Sequence, residues 1–217
     1  ETRLGVFADF DPRIPESFRD ARFVFLGNIV TVLQHQVLEQ VHAPELVVCD
    51  TMDYWIEGSR DALVGLLERV DLLMVNDAEA RQLADQPNLL LAARWIQERG
   101  PRYVVVKKGE HGASLYAPDW IFFAPGYPLE EVFDPTGAGD AFAGGFTGHL
   151  CTCGRVTDDD LRRAVIYGSA TGSYAVERFS IDRFRDLSPL EVAARVEEFR
   201  QMTAFEHELD AEVEAHV

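Results

Sequence analysis

An alternation of short apolar runs with longer amphipathic segments restricts the fold of this chain most. Strands buried on both faces of a parallel sheet read as short continuous apolar runs, and connecting helices carry apolar residues at a spacing of three and four. The repetition of these two signals predicts an α/β domain with a largely parallel sheet. The predicted strands are Arg22–Gly27, Glu45–Asp50, Asp71–Val75 and Tyr103–Lys107, with a hairpin at Ala113–Ala117 and Trp120–Phe123. The predicted helices are Val32–Val41, Arg60–Val70, Ala78–Ala84, Leu89–Arg99, 138–151, 158–176 and 189–203.

Composition limits the classes of partner. Apolar residues make up 47% and charged residues 26% of the 217 residues, which is ordinary for a soluble globular protein. No apolar stretch reaches the roughly 20 residues that a membrane-spanning helix needs, and no signal peptide is evident. The net charge of −17 argues against nucleic acid and anionic membranes as partners. We therefore expect no nucleic-acid and no membrane partner.

The three cysteines, Cys49, Cys151 and Cys153, make no disulfide framework, which fits a reducing cytoplasm. Cys151 and Cys153 lie close to His149, but no second group of metal ligands follows nearby in the sequence. We interpret this segment as a helix end with reduced thiols, and a metal site is the alternative.

The most informative motif runs from Phe133 to Phe146, with the sequence FDPTGAGDAFAGGF. Pro135 favours an extended residue before it, and Gly137 and Gly139 tolerate backbone angles that other residues resist. The apolar second half of the motif then predicts a helix that begins on this loop.

The start of this helix is a candidate anion hole. Backbone N–H groups at a helix start are unpaired, and the helix dipole favours negative charge there. Gly137, Ala138 and Gly139 can therefore hold an anion without a side chain in the way. Asp140 would repel that anion, a conflict that is resolved if Asp140 accepts a proton from a hydroxyl that attacks a bound phosphoryl group.

Two glycines, Gly144 and Gly145, fall inside the predicted helix. Each costs about 1 kcal/mol relative to Ala in a helix interior. We expect close packing of this helix against the sheet to compensate for that cost.

The segment DPTGAGDAFAGGF at 134–146 closely resembles the C-terminal signature of the PfkB (ribokinase-like) kinases of sugars and nucleosides. The resemblance extends from about Phe7 to about Phe205 and implies a three-layer α/β/α sandwich with a mostly parallel central sheet. It implies a kinase domain at 1–205, followed by an acidic tail at 206–217. The family's N-terminal strand, glycine-rich substrate-binding segment and β lid have no match here, so we expect a chain that lacks that segment.

The resemblance implies ATP-dependent phosphoryl transfer to a hydroxyl of a sugar or nucleoside. The γ-phosphate would lie over Gly137–Gly139, and Asp140 would orient and finally deprotonate the acceptor hydroxyl. A weak base suffices because the transition state is loose and positioning contributes most of the catalysis. The expected cofactors are ATP and Mg²⁺, with a monovalent cation such as K⁺ as a further one. Dimerisation through the lid is common in the family, which leaves a homodimer open.

Asn76 and Glu79 resemble the family's Asn-x-x-Glu motif, which lies near the ATP phosphates and the magnesium ion. Asn76 can donate a hydrogen bond to a phosphate oxygen, and Glu79 can hold a water on Mg²⁺. The alternative is a helix start with Asn76 as N-cap and Glu79 as its capping-box partner. Both roles can hold at once.

Residues 104–113 resemble the strand and turn that run under the nucleotide in this family. Lys107, one of only two lysines in the chain, stands where many relatives have Thr. A lysine there can reach the ATP phosphates as a mobile charge. The remaining candidate nucleotide contacts are Gly109, Gly112 and Thr136.

Four further positions are weighed against structural roles. Asn28 follows a strand end, where open α/β sheets place ligands, and faces the substrate or forms a turn. Asp134 lies near the acceptor or the monovalent cation. Asp53 stands where relatives often have Asn and is interpreted as a loop carboxylate that caps the next helix. Gly168–Ser180 resembles the segment beside the adenine ring, with Ser180 where relatives commonly have Gly.

Two other interpretations stay open. A non-catalytic nucleotide-binding module of the same fold would bind ATP without transferring phosphate to any acceptor. A purely structural α/β interaction domain is disfavoured because it leaves the anion hole and Asp140 unexplained.

Overall fold

The protein is described by a computed structural model over residues 10–204. Its central sheet consists of β1 (Phe23–Leu26), β2 (Leu46–Asp50), β3 (Leu72–Asn76), β4 (Tyr103–Lys107), β5 (Ala113–Tyr116) and β6 (Ile121–Ala124). The helices are α1 (Thr31–Gln40), α2 (Asp53–Gly58), α3 (Arg60–Leu67), α4 (Asp77–Ala84), α5 (Leu89–Gln97), α6 (Ala138–Cys153), α7 (Asp158–Ala175) and α8 (Pro189–Thr203). The strands lie in chain order, with β1 to β4 parallel and β5 and β6 antiparallel to their neighbours.

Helices cover both faces of the sheet, so the fold has three layers. One buried cluster joins one face of the sheet to the helices α1 to α5, through residues such as Leu66 and Ile96. A second cluster joins the other face to α6 and α7, through residues such as Phe146. Side chains of a strand alternate between faces, so Leu73 belongs to the first cluster and Met74 to the second. The predicted α/β/α sandwich is confirmed.

The connections explain which helices lie on which face. Right-handed crossovers that advance in one direction along a sheet place their helices on the same face, which accounts for α1 to α5. The chain then forms the β5–β6 hairpin and returns across the other face as α6 and α7. The carboxyl ends of β1 to β4 therefore meet at one edge of the sheet, and this is the edge that open α/β sheets use for ligands.

The predicted elements are all present, with small shifts at their ends. One helix was not predicted: α2 begins at Asp53 and has six residues, too few for helical periodicity to stand out. The acidic tail predicted at 206–217 lies outside the described residues. None of the helices between residues 10 and 204 combines the length and the apolar composition that crossing a membrane requires.

The two central glycines of α6 have different surroundings. A β-carbon on Gly145 would lie 2.1 Å from Thr171 Oγ1 and 2.8 Å from the carbonyl oxygen of Tyr167, both in α7. A β-carbon on Gly144 would meet nothing within 4 Å. Thr171 Oγ1 donates across the same contact to the carbonyl oxygen of Ala141, at 2.9 Å. Gly145 therefore permits close packing of α6 against α7. The prediction that this glycine packs against the sheet is wrong.

Candidate active site

A buried glutamine joins the ends of β1 and β2 at the ligand-binding edge of the sheet. Gln34 of α1 is 2% exposed, and its Nε2 donates to the carbonyl oxygens of Gly27 (2.9 Å) and Asp50 (3.1 Å). Next to this link, Trp55 Nε1 of α2 donates to Asn28 Oδ1 at 2.9 Å. The predicted substrate residue Asn28 is therefore exposed but held in place at the end of β1.

A largely buried ion pair spans the same edge. Lys107 Nζ, at the end of β4, lies 3.0 Å from Asp50 Oδ2 and 3.2 Å from Asp50 Oδ1, at the end of β2. The two side chains are 17% and 5% exposed, respectively. Burial raises the pKa of Asp50, while the Lys107 charge and a hydrogen bond from the Thr51 N–H oppose that rise. The pair bridges over the end of β3, which lies between the two strands.

Asp50 was not among the residues predicted for the site. Its sequence signal is a carboxylate that ends an otherwise apolar strand, at the edge where ligands bind. A buried carboxylate in that position needs a partner. The partner could not be identified from local sequence, because Lys107 lies 57 residues further along the chain.

The Lys107 ammonium lies against the start of α6. A β-carbon built on Gly139 would be 3.2 Å from Lys107 Nζ, so the missing side chain leaves the space that the ammonium borders. The charge of Asp140, in the first turn of α6, further raises the pKa of Asp50, which shows that Asp140 faces the same region. The structure thus brings together the predicted residues Lys107, Gly139 and Asp140 with the additional Asp50.

The loop before α6 leaves the helix start open. Gly137 has φ 81° and ψ 0°, the left-handed conformation that favours glycine, with open space where a side chain would stand. Among the described residues, no side chain caps α6. The Thr136 N–H donates to Asp134 Oδ1 at 3.0 Å, and bonds from Thr136 lower the pKa of Asp134. The Phe133 N–H donates to the carbonyl oxygen of Val176 at 2.8 Å, which anchors the loop to the end of α7.

Asn76 and Glu79 form the capping box that was considered as the structural alternative. Asn76 Oδ1 accepts from the Glu79 N–H at 2.8 Å, and Glu79 Oε2 accepts from the Asn76 N–H at 2.7 Å. Burial raises the pKa of Glu79, and the charges of Lys107 and Asp50 also act on it. The capping box uses one oxygen of each side chain and places Glu79 beside the ion pair.

The turn after β4 contains glycines with two different roles. Gly112 has φ 81°, and a β-carbon there would lie 2.1 Å from the carbonyl oxygen of Ala124, so close backbone packing requires this glycine. Gly109 has φ 55° and open space around it. On the loop after α7, Ser180 has φ 54°, a left-handed conformation that explains why a glycine would suit this position.

The chain is similar in sequence to known kinases. The sequence model described as pfkB family carbohydrate kinase matches residues 25–183. The cytidine kinase of Thermococcus kodakarensis is 34% identical over 137 residues, which are 61% of this chain and 49% of that kinase. The ATP-dependent ribose-1-phosphate kinase of Halopiger xanaduensis is 34% identical over 112 residues, 52% of this chain and 34% of that protein. The chain thus spans between a third and a half of the length of these two relatives.

Solved structures share the fold. The nucleoside kinase of Methanocaldococcus jannaschii superposes with a TM-score of 0.69 at 22% identity, covering 88% of this chain and 60% of that one. A putative ribokinase II from E. coli, in complex with ATP and Mg²⁺, superposes with a TM-score of 0.67 at 26% identity. The superposition covers 86% of this chain and 60% of that one. Because the family match covers most of the chain and includes the glycine-rich start of α6, the chain belongs to the PfkB family of carbohydrate kinases.

Proposed function

We propose that this chain carries the phosphoryl-transfer site of an ATP-dependent kinase that acts on a hydroxyl of a sugar or nucleoside. The observation that carries the proposal is the start of α6, where a helix start without a side-chain cap, the Lys107 ammonium beside Gly139, and Asp140 occur together. Relatives named as cytidine kinase and ribose-1-phosphate kinase support the acceptor class.

In the proposed reaction the first turn of α6 holds the γ-phosphate. Backbone N–H groups of Gly137, Ala138 and Gly139 and the positive end of the helix dipole stabilise the negative charge of the phosphate oxygens. The acceptor oxygen forms a bond to the γ-phosphorus while the bond to the β–γ bridging oxygen breaks and ADP leaves. Asp140 accepts the hydroxyl proton late, which suits a weak base in a loose transition state.

Asp50 acts in this scheme as a positioning residue for Lys107. The carboxylate holds the ammonium next to Gly139 before nucleotide binds. Lysine carries a compact charge on a flexible stem, so it can turn from Asp50 to a phosphate oxygen without any change in the backbone. Asp50 would then be left with less compensation for its burial.

The nucleotide and metal contacts follow from the edge of the sheet. Carboxylate and amide oxygens are hard ligands that suit Mg²⁺, which keeps several of its waters in protein sites. Glu79 would hold one such water, and the Asn76 amide would donate to a phosphate oxygen. Gly109, Gly112 and Thr136 would border the nucleotide, while Asp134 and Asn28 would face the acceptor or a K⁺ ion.

The test is magnesium-dependent ADP release across ribose, fructose, ribose-1-phosphate and cytidine. One acceptor is expected to raise the rate well above that of ATP alone. The signal should be lost in Asp140→Asn and kept in Asp159→Asn, a matched change of an exposed carboxylate in the first turn of α7. ATP binding without stimulation by any acceptor would favour a non-catalytic nucleotide-binding module instead.

Three remaining predictions have their own measurements. Dependence of the rate on K⁺ would test the monovalent cation, and a rate that is unchanged when K⁺ replaces a bulky organic cation would count against the cation site. Sedimentation would test the homodimer. Cell fractionation would test the cytoplasmic location.

A further inference from the structure

A second group of ligand-type side chains lies at the opposite end of α6 from the candidate anion hole. His149 and Cys153 are one turn apart at the end of α6, and Asp160 is in the first turn of α7. One donor atom of each lies within 4.8 Å of the other two, and His149 Nε2 is 3.5 Å from Cys153 Sγ. At about 1.5 Å per helical residue, His149 and Cys153 lie roughly 14 Å and 20 Å along α6 from Asp140, so the group is separate from the candidate anion hole.

The separations are close to those of a tetrahedral zinc site. Zinc bonds of about 2.0–2.3 Å to nitrogen, oxygen and sulfur place neighbouring ligand atoms roughly 3.3–3.6 Å apart. The pair His149 Nε2 and Cys153 Sγ, at 3.5 Å, already has this spacing. An oxygen of Asp160 lies within 4.8 Å of the other two ligand atoms and would need to approach them by at most about 1.5 Å.

The Asp160 carboxylate is buried and held by hydrogen bonds that leave one oxygen available. The side chain is 0% exposed, and its Oδ2 accepts from Arg155 Nε at 2.8 Å and Thr157 Oγ1 at 2.6 Å. The contacts of Oδ1 are longer, at 3.5 Å to Arg155 Nη2 and 3.8 Å to Arg163 Nη1. Outer hydrogen bonds of this kind orient the ligands of metal sites.

His149 is also fixed in position. Its ring stacks on Tyr167 of α7, with centroids 4.2 Å apart and planes at 16°. The guanidinium groups of Arg155 and Arg163 oppose a cation, and the Asp160 carboxylate together with a Cys153 thiolate would supply two negative charges that offset them.

We propose that His149, Cys153 and Asp160 bind Zn²⁺, with a water as the fourth ligand. Thiolate and imidazole together favour Zn²⁺ over Mg²⁺ or Ca²⁺, which prefer oxygen ligands. Binding releases the thiol proton of Cys153 to solvent, and no oxidation or reduction occurs. The ion would tie the end of α6 to the start of α7, independently of the proposed kinase activity.

The test is a zinc titration of the full chain after treatment with a chelator. One equivalent of Zn²⁺ should bind in competition with a chromophoric chelator and raise the melting temperature. Cys153→Ser and His149→Phe, which keeps a ring against Tyr167, should weaken binding by more than about 100-fold, since even outer partners of metal ligands contribute 10- to 100-fold. Cys151→Ser changes an exposed cysteine two residues away and should bind Zn²⁺ normally.

Cobalt(II) gives a readout that does not depend on the variants. A charge-transfer absorption from thiolate to Co²⁺ in the unsubstituted chain would support ligation by Cys153, and its absence would overturn the proposal. Zinc binding that survives both Cys153→Ser and His149→Phe, or that is lost equally in Cys151→Ser, would also overturn it.

Discussion

The two ends of α6 differ in how completely their polar groups are satisfied. At the first end, Gly137 directs the chain into the helix without a side-chain cap, and Asp140 is exposed. The neighbouring carboxyl groups of Asp50 and Glu79 both have pKa values raised by burial. This end, which we call the open end of α6, has no side-chain cap among the described residues and lies beside charges that are held at a cost in free energy.

At the other end of α6, Gly154 and the Asp160 carboxylate are both paired. The Gly154 N–H donates to the carbonyl oxygen of Leu150, and the Gly154 carbonyl oxygen accepts from Arg22 Nη2, both at 2.9 Å. Hydrogen bonds from Arg155 and Thr157 lower the pKa of the buried Asp160 to about 2.

Among Asp50, Glu79 and Asp160, the direction of the pKa shift therefore separates the two ends. Carboxyl groups that are buried with incomplete compensation cluster at functional sites, whereas well-paired ones support the fold. Glycine conformation does not make this distinction, because Gly137 and Gly154 are both left-handed, with φ 81° and 63°. What differs is whether neighbouring groups satisfy the backbone.

The largest expected effect tests the open end directly. Asp140→Asn should lower kcat by about 10²- to 10⁴-fold, the range typical of a general base. The dissociation constant for ATP and the melting temperature should change little, because Asp140 is exposed. Single-turnover kinetics with equilibrium ATP binding would separate the two effects. A matching loss of ATP affinity would mean that Asp140 contributes to binding rather than to proton transfer.

A second experiment breaks the ion pair at the open end. Asp50→Ala leaves the Lys107 ammonium largely buried without its partner and should lower the free energy of unfolding by about 3–5 kcal/mol. Lys107→Met should restore part of that loss in the double variant, because the uncompensated charge is then gone. Urea unfolding of the four proteins gives the coupling energy. Additive effects of the two substitutions would show that the pair is not coupled.

A third experiment uses neighbouring glycines between the two ends. Gly145→Ala drives a methyl group into Thr171 and should destabilise the protein by about 1–3 kcal/mol. Gly144→Ala meets open space and should stabilise it by about 0.5–1 kcal/mol through helix propensity. Thermal unfolding of both variants checks the opposite signs. Equal effects would contradict the close contact of α6 with α7.

The smallest expected effect concerns Asp134, an exception at the open end because its pKa is lowered. A carboxyl group with a lowered pKa in the folded state stabilises the protein above its unfolded value of about 3.9, and this stabilisation disappears as the pH falls through the folded value. Asp134→Asn should therefore be slightly less stable at pH 7 and equal to the unsubstituted chain at low pH. Unfolding curves between pH 7 and pH 2 measure the difference. A constant difference would exclude titration of Asp134 as its source.

The fold was predictable because buried parallel strands have a simple signature. All four predicted parallel strands coincide within one residue at each end with β1 to β4. The candidate anion hole could be identified in the sequence because Gly137 to Asp140 are consecutive and their chemistry is local, and its role stays a prediction. Contacts between distant segments were not predictable. The ion pair joins Asp50 to Lys107, and Gly145 needs Thr171 on another helix.

The candidate metal ligands show the same limit at shorter range. His149 and Cys153 were visible in the sequence, but the third ligand was not recognised. Asp160 reads as one of three consecutive acidic residues at a helix start, and only the turn between α6 and α7 brings it to the other two. Spacing in the sequence alone does not identify ligands that lie on two different helices.

The backbone character of the proposed anion hole would have a consequence for the evolution of this chain. Its proposed donors are peptide N–H groups, so few single substitutions could remove them. Side chains around the acceptor can therefore drift or be selected for a new hydroxyl compound while the phosphate-binding groups persist. A phosphate-binding backbone that tolerates mutation, together with acceptor-binding side chains that can change, would allow one scaffold to serve many acceptors.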